Sequence, residues 1–251
     1  YGIDVDRETL EKALSLGIID EGYQLTEDVL SKSDLVIIAL YPEETMAFLS
    51  SNAEYFKRGC VITDTCGVKK DIVFHAESVL PDYVEFVGGH PMAGNEFKGI
   101  NAASEELFKG TNYIITPHER NTEKNLALIE KLAFSIGCSN VIRVTAEEHD
   151  NIISYTSQLP HIIAVSMMNM SIWDRGINSF IGGSLKDTTR VACLNKELWK
   201  QVFNMNAMHI IERIEEMEAI LTQLKKVVSS KDDSSLERIF DNAIIRKRKI
   251  T

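Results

Sequence analysis

Short apolar runs alternate with amphipathic stretches through the first half of the chain. Leu35-Val36-Ile37-Ile38-Ala39-Leu40 is continuous and of strand length, which predicts a strand buried on both faces. Val61–Asp64, Val84–Val87 running into Gly88-Gly89, Tyr113–Thr116 stopped by Pro117, and Asn140–Val144 predict four more. Between them lie helical patterns. Arg7–Leu16 places Leu10, Ala13 and Leu14 on one side, with Asp6 as N-cap and Gly17 as terminator. Thr45–Lys57 and Thr122–Ile136 predict two others. Strands alternating with helices imply an α/β domain: a mostly parallel sheet with helices on both faces.

After about residue 145 the strand signals nearly vanish. Asn151–Trp173 carries no Asp, Glu, Lys or Arg and is long enough by count to cross a bilayer. Its Asn151, Gln158, Pro160, His161 and Asn169 would be costly against lipid, so a buried helix of an all-helical region is expected. A Gly-rich loop, Ile181-Gly182-Gly183-Ser184, follows. Ile210, Ile214, Met217, Leu221 and Leu224 then recur at steps of four and three, one stripe of a long helix. That stripe suits either an intramolecular core or a contact between subunits. The expected division is residues 1–144, a dinucleotide-binding type of domain, and residues 145–251, a helical domain. Ligands in such sheets bind beyond the carboxyl ends of the strands, so residues just after strands take priority.

Composition narrows the partners. With 44% hydrophobic and 25% charged residues, the chain can bury a core and resembles a globular protein. A net charge of −10 argues against nucleic acid or an anionic membrane surface as partner, but a few placed cations can still hold a small anion. Cys60, Cys66, Cys138 and Cys193 form no C-x-x-C pair and have no histidine at zinc spacing. Reduced thiols, a cytoplasmic setting and no metal site are expected. The basic end, Arg246–Lys249, is a solvated helix terminus.

Several segments can carry chemistry. Asp4 closes an apolar strand before a helix, the place where a dinucleotide fold holds the adenosine ribose. The glycine-rich loop of such a fold lies about 20 residues earlier. A segment upstream of Tyr1 is therefore expected, and a protein truly beginning there would bind the cofactor weakly or not at all. Leu40-Tyr41-Pro42 ends a strand and suits either a cofactor cleft or an ordinary turn. Asp64-Thr65-Cys66-Gly67-Val68-Lys69 joins a strand to a helix start, with backbone N–H groups toward a ligand. Cys66 has no base nearby in sequence and is expected to be a packed thiol. Gly88-Gly89-His90-Pro91-Met92-Ala93-Gly94-Asn95-Glu96 is the most informative segment. Its glycines would admit a ligand close to the backbone, and Pro91 holds the chain after a histidine suited to proton transfer. Ser157-Gln158-Leu159-Pro160-His161 adds a second histidine, either site or core. Arg190 offers a planar fork for a carboxylate or a surface ion pair, with Trp199 expected to pack behind it.

Taken together, Gly88–Glu96, Glu148-His149-Asp150, Ser157–His161 and Gly182–Arg190 resemble, in order and rough spacing, the prephenate dehydrogenase family. The resemblance covers nearly the whole chain. It implies a Rossmann-type sheet, incomplete at its N-terminus, followed by a helical substrate and dimerisation domain, with a homodimer as the assembly. It implies NAD-dependent oxidative decarboxylation of prephenate to 4-hydroxyphenylpyruvate and carbon dioxide in tyrosine biosynthesis. His90 would be the catalytic residue, accepting the substrate hydroxyl proton. Arg190, His161, Glu96, Gly67 and Ser157 would bind substrate. Asp4, Leu40, Tyr41, Pro42, Thr65 and Asn95 would bind NAD, with Asp4 disfavouring a 2′-phosphate.

The alternatives are arogenate as substrate, another hydroxy-acid dehydrogenase, or a non-catalytic relative of the fold. Gln158 and His161 are not acidic, which leans toward prephenate over its amino analogue. One departure matters: many relatives carry Gly-Ser where this chain has Cys66-Gly67. The absent serine hydroxyl leaves His90 to be oriented by Cys66, Thr65, water or the cofactor.

Overall fold

The computed structural model describes residues 1–94 and 99–250. By compactness the chain divides into Tyr1–Asn206 and Ala207–Thr251.

The first unit opens with β1 (Gly2–Ile3), α1 (Arg7–Ser15), β2 (Gly22–Tyr23) and α2 (Glu27–Leu30). β1 and β2 pair in parallel as a two-stranded sheet. β3 (Leu35–Ile38), α3 (Pro42–Asn52), β4 (Val61–Asp64), α4 (Lys70–Val79) and β5 (Glu85–Pro91) follow, then β6 (Asn112–Thr116), α5 (Glu123–Ser135) and β7 (Asn140–Arg143). These five strands form one sheet in order β3-β4-β5-β6-β7, parallel except where β6 runs against β5.

Local signals set most boundaries. The Asp6 carboxylate accepts from the Glu8 N–H at the start of α1, and Thr122 caps α5 from its side chain. α3 begins earlier than the apolar pattern suggests, because Pro42 occupies its first turn, where a missing N–H costs nothing. Successive strand residues point to opposite faces and split the core in two. Ile62 and Phe86 pack with α3 and α4, while Val61 and Val87 pack with Leu126, Ile129 and Ala133 of α5.

The glycine pair has a different cause from the one expected. A Cβ on Gly89 would lie 2.3 Å from the Tyr113 hydroxyl and 2.7 Å from the Asp64 carbonyl oxygen, and one on Gly88 would lie 2.2 Å from the Thr116 hydroxyl. Neighbouring strands fill the space that a side chain would take, so these glycines serve sheet packing rather than close approach of a ligand. Gly89→Ala should therefore cost about 1–3 kcal/mol, since the Asp64 carbonyl is backbone and cannot rotate away. Urea denaturation checks this, and an unchanged midpoint would mean that the strand shifts freely.

Beyond β7 come α6 (Ala146–Ile153), a π-helical turn (Ser154–Gln158), α7 (Leu159–Met168), α8 (Gly183–Thr189) and α9 (Lys196–Met205). Up to Met168 the uncharged run is helical without interruption, α6 and α7 being joined end to end through the π-helical turn, and no helix among the described residues is long and apolar enough to cross a membrane. The expected Gly-rich loop is shorter than its sequence suggests: Gly182 is the N-cap of α8, and Gly183 and Ser184 are helical. Val202, Leu198, Trp199 and Phe203 of α9 join the α3–α4 core, so this helical stretch is anchored on the sheet side.

The second unit comprises α10 (Ala207–Ser230) and α11 (Asp233–Lys247). In the stripe on α10, Ile210 is buried, Ile214, Met217 and Leu224 are half-buried and Leu221 is exposed.

Candidate functional site

His90 lies near the end of β5, beyond the carboxyl ends of β3 and β4, and is partly buried. Beneath it is a buried ionic cluster. Asp64 closes β4; one oxygen accepts the Gly89 N–H at 3.0 Å, and the other accepts the Cys66 N–H at 3.0 Å and the Lys69 ammonium. Both side chains of that ion pair are completely buried. α4 lacks a side-chain cap of its own. Asp150 supplies one from α6: its Oδ1 accepts the Lys69 N–H at 2.8 Å and its Oδ2 the Lys70 N–H at 2.9 Å. A carboxylate at a helix N-terminus also suits the helix dipole. A Lys70–Glu147 ion pair of 2.6 Å adds a surface contact between the same two helices.

α6, whose first turn Thr145 caps by accepting the Glu148 N–H, is thereby held so that His149 meets the sheet histidine. His90 Nδ1 and His149 Nε2 share a hydrogen bond of 2.8 Å, and His149 Nδ1 bonds Asp150 Oδ1 at 2.7 Å. The opposite edge of the His90 ring faces Gly67, where a Cβ would lie 3.7 Å from Nε2. Among the described residues Nε2 makes no hydrogen bond. The orientation expected from Cys66 or Thr65 is not what holds the ring. The Cys66 thiol bonds the Leu40 carbonyl at 3.4 Å and lies 3.5 Å from the Thr45 hydroxyl. The Thr65 N–H donates to the Ile38 carbonyl. Burial, reinforced by Asp64, pushes the Cys66 thiol up to about 12, so it is a packed thiol and not a thiolate.

Burial holds His90 well below the usual imidazole range, with the neighbouring His149, whenever it is protonated, and the Lys69 ammonium adding to it. Burial also lowers His149, against the opposing pull of Asp150. Both rings are therefore neutral at pH 7 in the folded chain, whereas unfolded histidine titrates near about 6.5. Because the folded values are depressed, the unfolded chain takes up protons first as the pH drops. Stability should be complete above about 6.5 and decline below it toward the lowered folded values. Urea midpoints between pH 7.5 and pH 5 test this, and a midpoint that rises as the pH falls would refute it.

A second group forms around α7. His161 Nδ1 bonds the Ser157 carbonyl at 2.8 Å, and its ring stacks on Trp199 with centroids 3.9 Å apart. Trp199 thus packs on His161, where the sequence suggested a place behind Arg190. Arg190 opens a 3₁₀ turn against α7 and is exposed. His161 is lowered by burial, opposed by the Ser157 carbonyl, and lowered further by the Arg190 charge. The two groups are joined through a buried amide network. Asn206 Nδ2 donates to the Asp150 carbonyl at 2.8 Å and to Gln158 Oε1 at 2.7 Å, while Gln158 Nε2 is buried with no partner among the described residues. His90 makes no hydrogen bond to His161 or Arg190.

The expected cofactor residues lie along the carboxyl edges. Asp4 follows β1, and its Oδ1 accepts the Asp6 N–H at 2.8 Å. Leu40 is 45% exposed after β3, Pro42 is buried at the start of α3, and the Tyr41 hydroxyl accepts from Asn195 Nδ2 at 2.5 Å. Asn95 and Glu96 lie outside the described residues. Sequence reasoning overlooked the Asp64–Lys69 pair and the roles of His149 and Asp150. The adjacent His-Asp pair at a helix start was the available signal for the latter.

A mostly parallel, Rossmann-like sheet followed by helices, with a histidine at the sheet's carboxyl edge meeting one of those helices, places the chain in the class of nucleotide-binding α/β proteins with a helical C-terminal domain. The family model for "Prephenate dehydrogenase, nucleotide-binding domain" matches residues 1–142, and that for "Prephenate dehydrogenase, dimerization domain" matches residues 145–242. The chain belongs to the prephenate dehydrogenase family. It is 30% identical to the prephenate dehydrogenase of Bacillus subtilis over 96% of its own length and 66% of that protein's. It is 29% identical to the cyclohexadienyl dehydrogenase of Zymomonas mobilis over 90% and 78%. The crystal structure of Aquifex aeolicus prephenate dehydrogenase with hydroxyphenyl propionate and NAD+ superposes with a TM-score of 0.91 at 28% identity, covering 100% of this chain and 88% of that one. Synechocystis arogenate dehydrogenase shares the fold, with a TM-score of 0.85 at 22% identity, covering 100% and 90%. The chain spans 66% of the length of the Bacillus and Lactococcus relatives.

Proposed function

We propose that this protein oxidatively decarboxylates prephenate, with NAD as hydride acceptor, in tyrosine biosynthesis. The observation that carries the reading is His90: a neutral imidazole held through Nδ1, with Nε2 turned to the open position beside Gly67. Such a ring is suited to take the proton from a substrate hydroxyl, and aromatisation of the ring with loss of carbon dioxide supplies the driving force. Arg190 presents its guanidinium for a substrate carboxylate. His161, fixed by Trp199 and the Ser157 carbonyl, addresses the other end of the substrate. Gly67, Ser157 and Glu96 complete the proposed substrate set.

The polar groups present suit a dinucleotide. Asp4 has a second carboxylate oxygen with no hydrogen bond among the described residues, as ribose hydroxyls require. Leu40, Tyr41 and Pro42, with Thr65 and Asn95, would line the rest of its path. NAD, when bound, supplies the acceptor for the hydride. Residues 1–144 would hold it, and residues 145–251 would hold substrate and pair two copies in a cytoplasmic homodimer.

The test is reduction of NAD by the full-length protein with prephenate or arogenate. Higher kcat/KM on prephenate is expected, since Gln158 and His161 offer no carboxylate for arogenate's amino group. A preference for arogenate would overturn the substrate assignment. No NADH from either would overturn the activity.

A further inference from the structure

We infer that Asp150 and His149 are positioning residues that set the tautomer of His90, placing its proton on Nδ1 and its lone pair on Nε2. The inference rests on the reading of His90 as a base, and it follows from counting donors. Asp150 accepts two backbone N–H groups, one on each oxygen, and so acts as an acceptor. The 2.7 Å bond to His149 Nδ1 therefore needs the proton on that nitrogen. A neutral His149 with Nδ1–H has an acceptor at Nε2. Across the 2.8 Å bond, His90 Nδ1 must then be the donor. The remaining His90 nitrogen, Nε2, carries the lone pair, on the side where Gly67 leaves room.

The same geometry supports the ring once it is charged. When His90 Nε2 takes a proton, the imidazolium keeps its Nδ1–H donated to His149, whose far side is bonded to a carboxylate. No atom in the relay has to move. His149 and Asp150 are 1% and 3% exposed, so water does not compete for these bonds. Asp150 is itself immobilised by capping α4 and, through its carbonyl, by Asn206. The relay takes over the orienting task for which this chain, with Gly67, has no serine hydroxyl.

The experiment is two-bond ¹H–¹⁵N spectroscopy of histidine rings in the full-length protein, with the His90 signals assigned by their loss in His90→Asn. The Nδ1–H tautomer is expected for both His90 and His149; an Nε2–H tautomer at His90 overturns the inference, whatever the protein's substrate. In His149→Leu, His90 should lose its single tautomer and kcat should fall at least about tenfold with KM little changed. A merely structural His149 would lower the melting temperature but leave the His90 tautomer and kcat of the folded fraction as they were, which also overturns it. Should His149→Leu not fold, the wild-type spectrum alone decides. If the tautomer is as inferred but neither prephenate nor arogenate is oxidised, the functional reading fails and the relay stands.

Discussion

His90→Asn should reduce kcat on prephenate by about 100-fold or more, with KM changed by no more than a few-fold. A positioned general base typically contributes 10²–10⁴ in rate, and about 100-fold corresponds to roughly 2.7 kcal/mol of barrier. Asparagine keeps a polar group near His149 Nε2 but offers no nitrogen lone pair at the position of His90 Nε2. Binding should survive, because the proposed carboxylate and far-end contacts belong to Arg190 and His161. The wild-type pH profile should carry the same signature. Burial depresses His90, so the base stays deprotonated to more acidic pH than an ordinary histidine would. The acid limb of kcat/KM should therefore fall below about 6.5. Stopped assays across pH 5–9 provide the measurement. Turnover of His90→Asn within threefold of wild type would remove this residue from the chemistry.

Lys69→Met should destabilise the folded chain by about 3–5 kcal/mol. The ion pair with Asp64 has both side chains wholly buried. Removing the ammonium leaves a carboxylate with two backbone N–H donors, from Gly89 and Cys66, and no counter-charge. An unpaired buried charge is penalised far more than the pair is favoured. At this chain length the loss corresponds to about 10 °C in melting temperature. Asp64→Asn combined with Lys69→Met should recover part of it, because the double variant buries no charge. A single variant that loses less than about 1 kcal/mol would show that solvent reaches the pair. The consequence extends to the site. The Asp64 carboxylate ties the turn at Cys66 to the Gly89 backbone, one residue before His90, so the same substitution should also broaden the His90 ring signals.

Much of this was legible in the chain itself. The apolar run at 35–40 makes a strand over 35–38, but at the end of the five-stranded sheet with Ile37 50% exposed rather than buried on both faces as its pattern suggests, whereas 61–64 is buried throughout. Asp6 and Thr122 begin helices because their side chains satisfy N–H groups of the next few residues. His90 stood out because a histidine between a glycine pair and a proline is locally rigid. These are effects of neighbours, and sequence order contains neighbours. The partners of His90 are of another kind. His149 is 59 positions away, and the Asp150 bond to the Lys69 N–H spans 81. Such pairings exist only after β4, β5 and α6 have packed, and residue type alone does not distinguish them from the many other polar pairs the chain could form. The antiparallel pairing of β6 with β5 likewise brings Tyr113 and Thr116 over Gly89 and Gly88, which converts glycines that read as a ligand approach into sheet packing. Local order thus determined the strands, most of the helix starts and the candidate base. Long-range packing alone decided what holds that base, because the burial that lowers its basicity and the acceptors that fix its proton come from elements brought together by the core.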